Sequence, residues 1–354
     1  MQTEQTTLAS SATTPSITPY EIAPSVETGS LGLSHLKRIW SVAMAARSNS
    51  SIDRYAEDYL DKMVLSCLGL GLHQALQYLY SRVPTFEDFE QWAVATAGEP
   101  DPVNIARANA TIAGREHTAS VREWLESIEN SAPVLSAEDL KHWEDNGYIV
   151  LREAVPEAAC RAAAEVIWDY VGADPQRPDS WYGCVANGIM VELIQHPALQ
   201  ANRCSARIHK AFAQLWGTAD LWVSADRCGF HPPQRPGRPF PGPDLHWDVD
   251  FAHPLTFGTQ GILYLADTPA EQGALTLVPG FHKRLPEWLQ TLAPGADPQQ
   301  QDLHGLGSEA IAGRAGDMVI WHQALPHGSR PNLGTRPRVV QYINMQPGER
   351  GPLL

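Results

Sequence analysis

Between Asp220 and Gln346 the chain is cut by Gly, Pro and polar residues into short apolar runs: DLWVSADRC, DLHWDVDF, QGILYLAD, GALTLVPG, DMVIWHQ and RVVQYINMQ. Short strands with turn signals between them, and few helical patterns intervening, favour a sandwich or barrel over a parallel α/β sheet. One run constrains more than fold. Read as a strand, DLHWDVDF puts Leu245, Trp247, Val249 and Phe251 on one side and Asp244, His246, Asp248 and Asp250 on the other. Three acids and a histidine on one face would be costly inside a small barrel unless a cation neutralised them, and an iron ion is a sufficient answer.

His246 and Asp248 are two apart, so both project the same way and can meet one metal. Asp250 shares their face, and geometry leaves it open as the carboxylate. A third ligand must come from elsewhere. The candidate is His327 in LPHGSRPN, beyond DMVIWHQ, with His322 on that run as the alternative. Two neutral imidazoles and a carboxylate on one side of iron make the facial triad of non-haem Fe(II) oxygenases, which keeps positions open for a bidentate cosubstrate and dioxygen.

Taken in order, HWD, GALTLVPGFHK, GDMVIWHQALPHGS and Arg338 in RPRVVQYINMQ resemble the phytanoyl-CoA dioxygenase family, from the opening LSAEDLKHWEDNGYIVLREAV at Leu135 to about Gln346. H-x-D alone is common by chance; the ordered set is specific, with Arg338 eleven residues after His327. The resemblance implies a mainly β domain with α, a double-stranded β-helix (jelly roll, cupin-like) preceded by a helical segment. It implies Fe(II), 2-oxoglutarate and O2 as cofactors, with ascorbate as the reductant in vitro. His246, Asp248 and His327 become the metal ligands and catalytic set. Arg338 becomes the partner of the distal 2-oxoglutarate carboxylate, a task suited to a planar guanidinium, with Ser329 and Tyr264 adding hydrogen bonds. The implied reaction is hydroxylation of an unactivated C–H bond in a small metabolite, releasing succinate and CO2. Related halogenases lack a carboxylate at the position of Asp248, so halogenation is disfavoured; desaturation, epimerisation and cyclisation stay open. The rival is a non-redox, cupin-like metal- or ligand-binding protein, which has no need of Arg338.

Pocket walls are sought among Trp247, Phe251, Trp181 and Trp321, and substrate-anion contacts among Arg227, Arg235, Arg238 and Arg284, chiefly Arg227 and Arg238. His253, His282 and His304 read as surface or satisfied histidines, and the QGALTLVPG segment as a tight turn into a core strand.

Residues 1–30, rich in Ser, Thr and Pro, read as a flexible tail. Residues 31–132 read as a helical extension: Tyr55, Tyr59, Leu60, Met63 and Val64 share a helix face that Leu76, Leu79 and Tyr80 continue, and Thr85 with Glu87 and Asp88 opens a helix through Trp92. This segment shows no cluster of His, Cys or carboxylates and reads as a packing or homodimerisation unit. Residues 133–354 form the expected dioxygenase domain, where Ser136 with Asp139 caps a helix that Gly147 ends, and another helix runs from Glu157 to Val171. With 26 Lys plus Arg against 40 Asp plus Glu, the net charge of −14 disfavours nucleic acid and anionic membrane as partners. Five cysteines without a C-x-x-C pair read as reduced thiols, and the amino-terminal residues lack the basic start and apolar stretch of a signal peptide, so a cytoplasmic protein is expected. The longest apolar stretch, Val64 to Leu72, is too short to span a bilayer.

Overall fold

The structure, a computed structural model, describes residues 21–47, 57–183 and 186–354. Most of the expected tail, Tyr55 and Cys184 lie outside the described residues. None of the described helices is long and apolar enough to cross a membrane.

Six helices come first: α1 (Leu36–Arg47), α2 (Asp58–Cys67), α3 (Leu72–Arg82), α4 (Phe86–Ala97), α5 (Pro102–Ile112) and α6 (Ala119–Glu129). The apolar stripes of α1 to α5 meet in one core that includes Leu33, Leu36, Met44, Met63, Leu65, Leu79 and Phe89, while α6 packs Val121 and Leu125 against Ala213 and Ala219. The face read through α2 into α3 is two helices, because the chain turns at Gly69 in the left-handed region. Thr85 caps α4 as expected: its hydroxyl accepts from the Asp88 amide at 3.1 Å. The segment assigned to the tail is tied down from Ala23 onward. Its backbone supplies the donors: Ala23 N–H to Ser41 at 2.9 Å, and Ser30 N–H and Leu31 N–H to the buried Glu90 carboxylate at 3.0 and 2.9 Å. Main-chain donors are invisible to composition, which is why Ser- and Thr-rich sequence read as tail.

The remainder runs α7 (Ala137–Asn146), β1 (Tyr148–Leu151), α8 (Glu157–Val171), β2 (Met190–Val191), α9 (Pro197–Arg203), α10 (Ala206–Trp216), β3 (Trp222–Val223), β4 (Cys228–His231), β5 (Thr259–Tyr264), β6 (Leu275–Leu277), α11 (Phe281–Thr291), β7 (Glu309–Ile311), β8 (Met318–His322), β9 (His327–Gly328), β10 (Arg338–Tyr342) and β11 (Met345–Gln346). A six-stranded antiparallel sheet has the order β1-β8-β5-β10-β4-β2; a three-stranded sheet has the order β7-β6-β9, and β3 pairs with β11. One face of the large sheet, through Ile262, Tyr264, Val319, Trp321 and Val340, packs against Leu275, Leu277 and Ile311 of the small one. The other face packs on α8 and α10 through Leu263, Met318, Ile320 and Val339. Strand period two assigns each side chain to its face, so Arg338, Val340 and Tyr342 share the inner face.

DLHWDVDF is not a strand. Its one ladder contact among the described residues is an isolated bridge between His246 and His327, while the backbone of Trp247 is satisfied on both sides by the Gln299 amide, at 3.0 and 2.8 Å. The alternation survives, with Leu245 and Trp247 buried. The burial argument for a cation does not: the side chains of Asp244, Asp248 and Asp250 are 66%, 56% and 63% exposed, so water already solvates these acids.

Candidate active site

Two irregular segments build the site by running antiparallel at close range. His246 N–H donates to His327 O and His327 N–H to His246 O, both at 2.9 Å, and Ser329 N–H donates to Pro243 O at 3.0 Å. Gly328 makes the approach possible, since a Cβ there would lie 2.3 Å from the Asp244 carbonyl oxygen. On the far side, His327 and Gly328 are anchored to Leu277 and Thr276 of β6.

This pairing brings His246, Asp248 and His327 together, with one ligand atom from each lying within 4.8 Å of the others. Each imidazole is oriented by its own backbone: Nδ1 of His246 lies 2.7 Å from Asp244 O, and Nδ1 of His327 lies 3.0 Å from Leu325 O. A carbonyl only accepts, so both Nδ1 atoms carry a proton, and the Nε2 atoms, which here face the Asp248 carboxylate, are the positions left to give up a proton and bind a metal. Those Nε2 atoms lie 3.4 and 3.3 Å from the two oxygens of Asp248. Although the Asp248 side chain is 56% exposed, partial desolvation of its carboxyl against the site pushes it up, and the two histidines outweigh this and hold the group far below the usual carboxylate range. Two imidazole nitrogens and a carboxylate of this kind suit a divalent transition metal.

Arg338 sits deeper in the same cavity, fully buried on β10. Its Nη1 donates to Gly273 O at 2.6 Å and to Ser329 Oγ at 3.0 Å. Its Nε and Nη2 have no partner among the described residues. His231, directly across in the β4–β10 register, stays neutral: burial, and after it Arg338, push its imidazole down to about 3. A buried guanidinium with two spare donors and no carboxylate calls for a bound anion, since leaving such a charge uncompensated is costly. The residues therefore fit both the metal and a dicarboxylate cosubstrate.

Tyr264 does not join them. Its hydroxyl donates to Ile311 O at 2.7 Å and accepts from Leu275 N–H at 3.0 Å, so it braces β5 against the small sheet. Trp247 and Phe251 pack on each other within the Phe281 and Trp288 cluster, and Trp181 is core, donating to Asp174 O. Large aromatic area drew all three into a buried core rather than a wet cavity. Arg238 is exposed and bridges to Arg235, which stacks on Tyr182; Arg284 lies over Phe281. Arg227 and Trp321 do line the cavity. His322 points away, its ring against Trp143, Phe257 and His282. Asp250 is outside the metal-ligating set, and His253, His282 and His304 bond to Asp250, Glu144 and Asp244.

Gln260 was missed by the sequence reading. Its amide donates to Asp248 at 2.5 Å and accepts from Trp321 Nε1 at 2.9 Å, fixing the carboxylate from β5. Alternation from Tyr264 back along β5 would have put it on the inner face. Tyr342, four residues beyond Arg338 on the same face, also lines the cavity. So do Asp58, Tyr59 and Lys62 of α2 and Leu72 of α3, from the segment read as a packing unit. The whole cavity has a volume of about 700 Å³.

A family model described as phytanoyl-CoA dioxygenase matches residues 143–340. A protein of Dictyostelium discoideum whose name places it with the phytanoyl-CoA dioxygenases is 23% identical over 257 residues, 58% of this chain and 74% of its own length. Among solved structures, the non-heme alpha-ketoglutarate-dependent carbocyclase SnoK from nogalamycin biosynthesis is 20% identical with a TM-score of 0.44, covering 64% of this chain and 88% of that one. HygX from Streptomyces hygroscopicus, solved with nickel and 2-oxoglutarate bound, is 16% identical with a TM-score of 0.44, covering 61% and 88%. With more than half of its 354 residues matched by the family model, the chain belongs to the phytanoyl-CoA dioxygenase family.

Proposed function

We propose that the protein is an Fe(II)- and 2-oxoglutarate-dependent dioxygenase that hydroxylates an unactivated C–H bond of a small molecule, on a core of two facing sheets that we read as a double-stranded β-helix. The observation that carries the reading is Arg338, a buried cation with unused donors in the same cavity as two imidazoles and a carboxylate. When bound, iron and 2-oxoglutarate would let dioxygen act as the oxidant, one oxygen atom passing to the hydroxylated product and the other to succinate as CO2 is released.

His246, Asp248 and His327 would hold the metal, the histidines through Nε2. Their Nδ1–H bonds to Asp244 O and Leu325 O keep Nε2 of each ring aimed into the site before anything binds, so little reorganisation of the rings is required. Gln260 holds Asp248 against rotation. Arg338, with Ser329 beside it, would receive the distal carboxylate of the cosubstrate and so fix which end faces the metal ligands. Trp321, its ring centroid 5.2 Å from that of His327, forms one wall of the cavity beside the metal-ligating residues. Whether the outcome is hydroxylation rather than desaturation, epimerisation or cyclisation depends on how the outer cavity presents the substrate.

The test is spectroscopic and kinetic. Anaerobic Fe(II) with 2-oxoglutarate is expected to give a visible charge-transfer band that EDTA abolishes. Aerobic protein with ascorbate is expected to form succinate above background, and Asp248→Ala is expected not to. A flat spectrum with metal still bound would favour the non-redox alternative.

A further inference from the structure

Part of the cavity lining comes from residues outside the matched 143–340 segment. Tyr59 and Lys62 on α2, Leu72 on α3 and Arg350 after β11 line the same space as His327 and Arg338. Apart from Arg338, the basic residues lining it are Lys62, Arg227 and Arg350, and each already has an acidic neighbour. Asp58 pairs with Arg350 at 2.7 Å and with Lys62 at 3.5 Å. Arg227 lies 3.5 Å from both Glu192 and Asp226. Asp250 and Glu349 add further negative charge to the lining.

We infer that the substrate is a compact molecule without clustered phosphates, not a coenzyme A thioester, and that Asp58 sets this choice by neutralising Lys62 and Arg350 where the substrate enters. The inference rests on the oxygenase reading of the inner site. A coenzyme A thioester carries a diphosphate and a ribose phosphate, and proteins hold such groups with uncommitted Arg and Lys side chains. Lys62 and Arg350 share Asp58, Arg227 lies between two carboxylates although its Nε has no hydrogen-bond partner among the described residues, and the chain carries a net charge of −14, so a polyanion meets repulsion on approach and cations already largely neutralised on arrival. A cavity of about 700 Å³ holds a ligand of ordinary metabolite size. Its aromatic lining, Tyr59, Trp216, Phe257 and Tyr342, suits a body with apolar faces.

Titration calorimetry of free coenzyme A into the full-length protein loaded with Mn(II) and 2-oxoglutarate, at low salt, tests this. The wild type is expected to show no saturation up to about 1 mM. Asp58→Asn, which removes the carboxylate that Lys62 and Arg350 share without changing its shape, is expected to bind coenzyme A at least about tenfold more tightly and to lose that binding as salt is added. Should Asp58→Asn fold poorly, Glu349→Lys at an exposed position is expected to shift affinity in the same direction. Saturable micromolar binding by the wild type would overturn the inference, and so would a folded variant that gains nothing. If the protein does not take up Mn(II) and 2-oxoglutarate at all, the reading of the inner site fails first, and the calorimetric titration of those two ligands reports that separately.

Discussion

Arg338 is fully buried with two donors that have no partner among the described residues, so its charge destabilises the protein until an anion arrives. Two consequences follow at this one residue. Arg338→Met is expected to melt no lower than the wild type when both are free of ligand. It is also expected to lose the thermal stabilisation that saturating 2-oxoglutarate gives the metal-loaded wild type, about 2.7 kcal/mol at a hundredfold excess over Kd. Differential scanning fluorimetry with and without 2-oxoglutarate checks both. An Arg338 held only for structure would give the opposite pattern, a lower melting point and unchanged ligand response. Gln260 touches the metal-ligating set through Asp248, so Gln260→Leu is expected to weaken Mn(II) binding by about 10- to 100-fold, measured by competition with a chromogenic chelator. Affinity for 2-oxoglutarate at saturating metal should change far less, because Arg338 and Ser329 are untouched.

Among the elements, the site depends less on strands than on how irregular segments are held. DLHWDVDF alternates like a strand, yet Gln299 takes the hydrogen bonds of Trp247 that a neighbouring strand would have taken. What fixes the metal ligands is the short antiparallel contact with His327, which Gly328 allows. A second element-level device joins α5 to the turn before β3. Arg107, buried, donates to Asp220 through Nε at 3.1 Å and Nη2 at 2.5 Å, and His117 reaches the other Asp220 oxygen at 2.7 Å. Burial pushes the Asp220 carboxyl up, but Arg107 and His117 more than offset this and hold it below its ordinary range. Because the folded value lies below the unfolded one, the stabilisation is complete above about pH 4 to 5, where the unfolded carboxyl is ionised. It is lost as pH falls through the lower folded value. Asp220→Asn is expected to cost about 3 kcal/mol near neutrality, by leaving Arg107 without its counter-ion. Urea unfolding from pH 7 to pH 3 should show the variant and wild type converging as the acid limb is descended.

On the scale of the whole molecule, the helical unit and the β-sheet domain share a core. Trp222 of β3 is buried among Met63, Leu65 and Cys67, with the Arg107 guanidinium 3.9 Å above its ring. One calorimetric transition is expected rather than two. Trp222→Ala is expected to cost about 3–5 kcal/mol, whereas Trp222→Phe should cost much less, since the indole N–H has no partner among the described residues. A transition that already splits in the wild type would sink this reading of the shared core. The sequence by itself carried what strand period and local capping record, namely short strands, the caps of α4 and α7 and the pair two residues apart at His246 and Asp248, while His327 and Arg338 were legible through the resemblance to a family motif. Those features are local or recur at fixed separations along the chain, so one dimension suffices to read them. Only the tertiary structure decided that Tyr264, Trp181 and Trp247 are spent on the core, that Gln260 steadies Asp248, and that α2 closes the cavity around Asp58. These outcomes turn on which partner each side chain meets across segments far apart in the chain, and no periodicity records that.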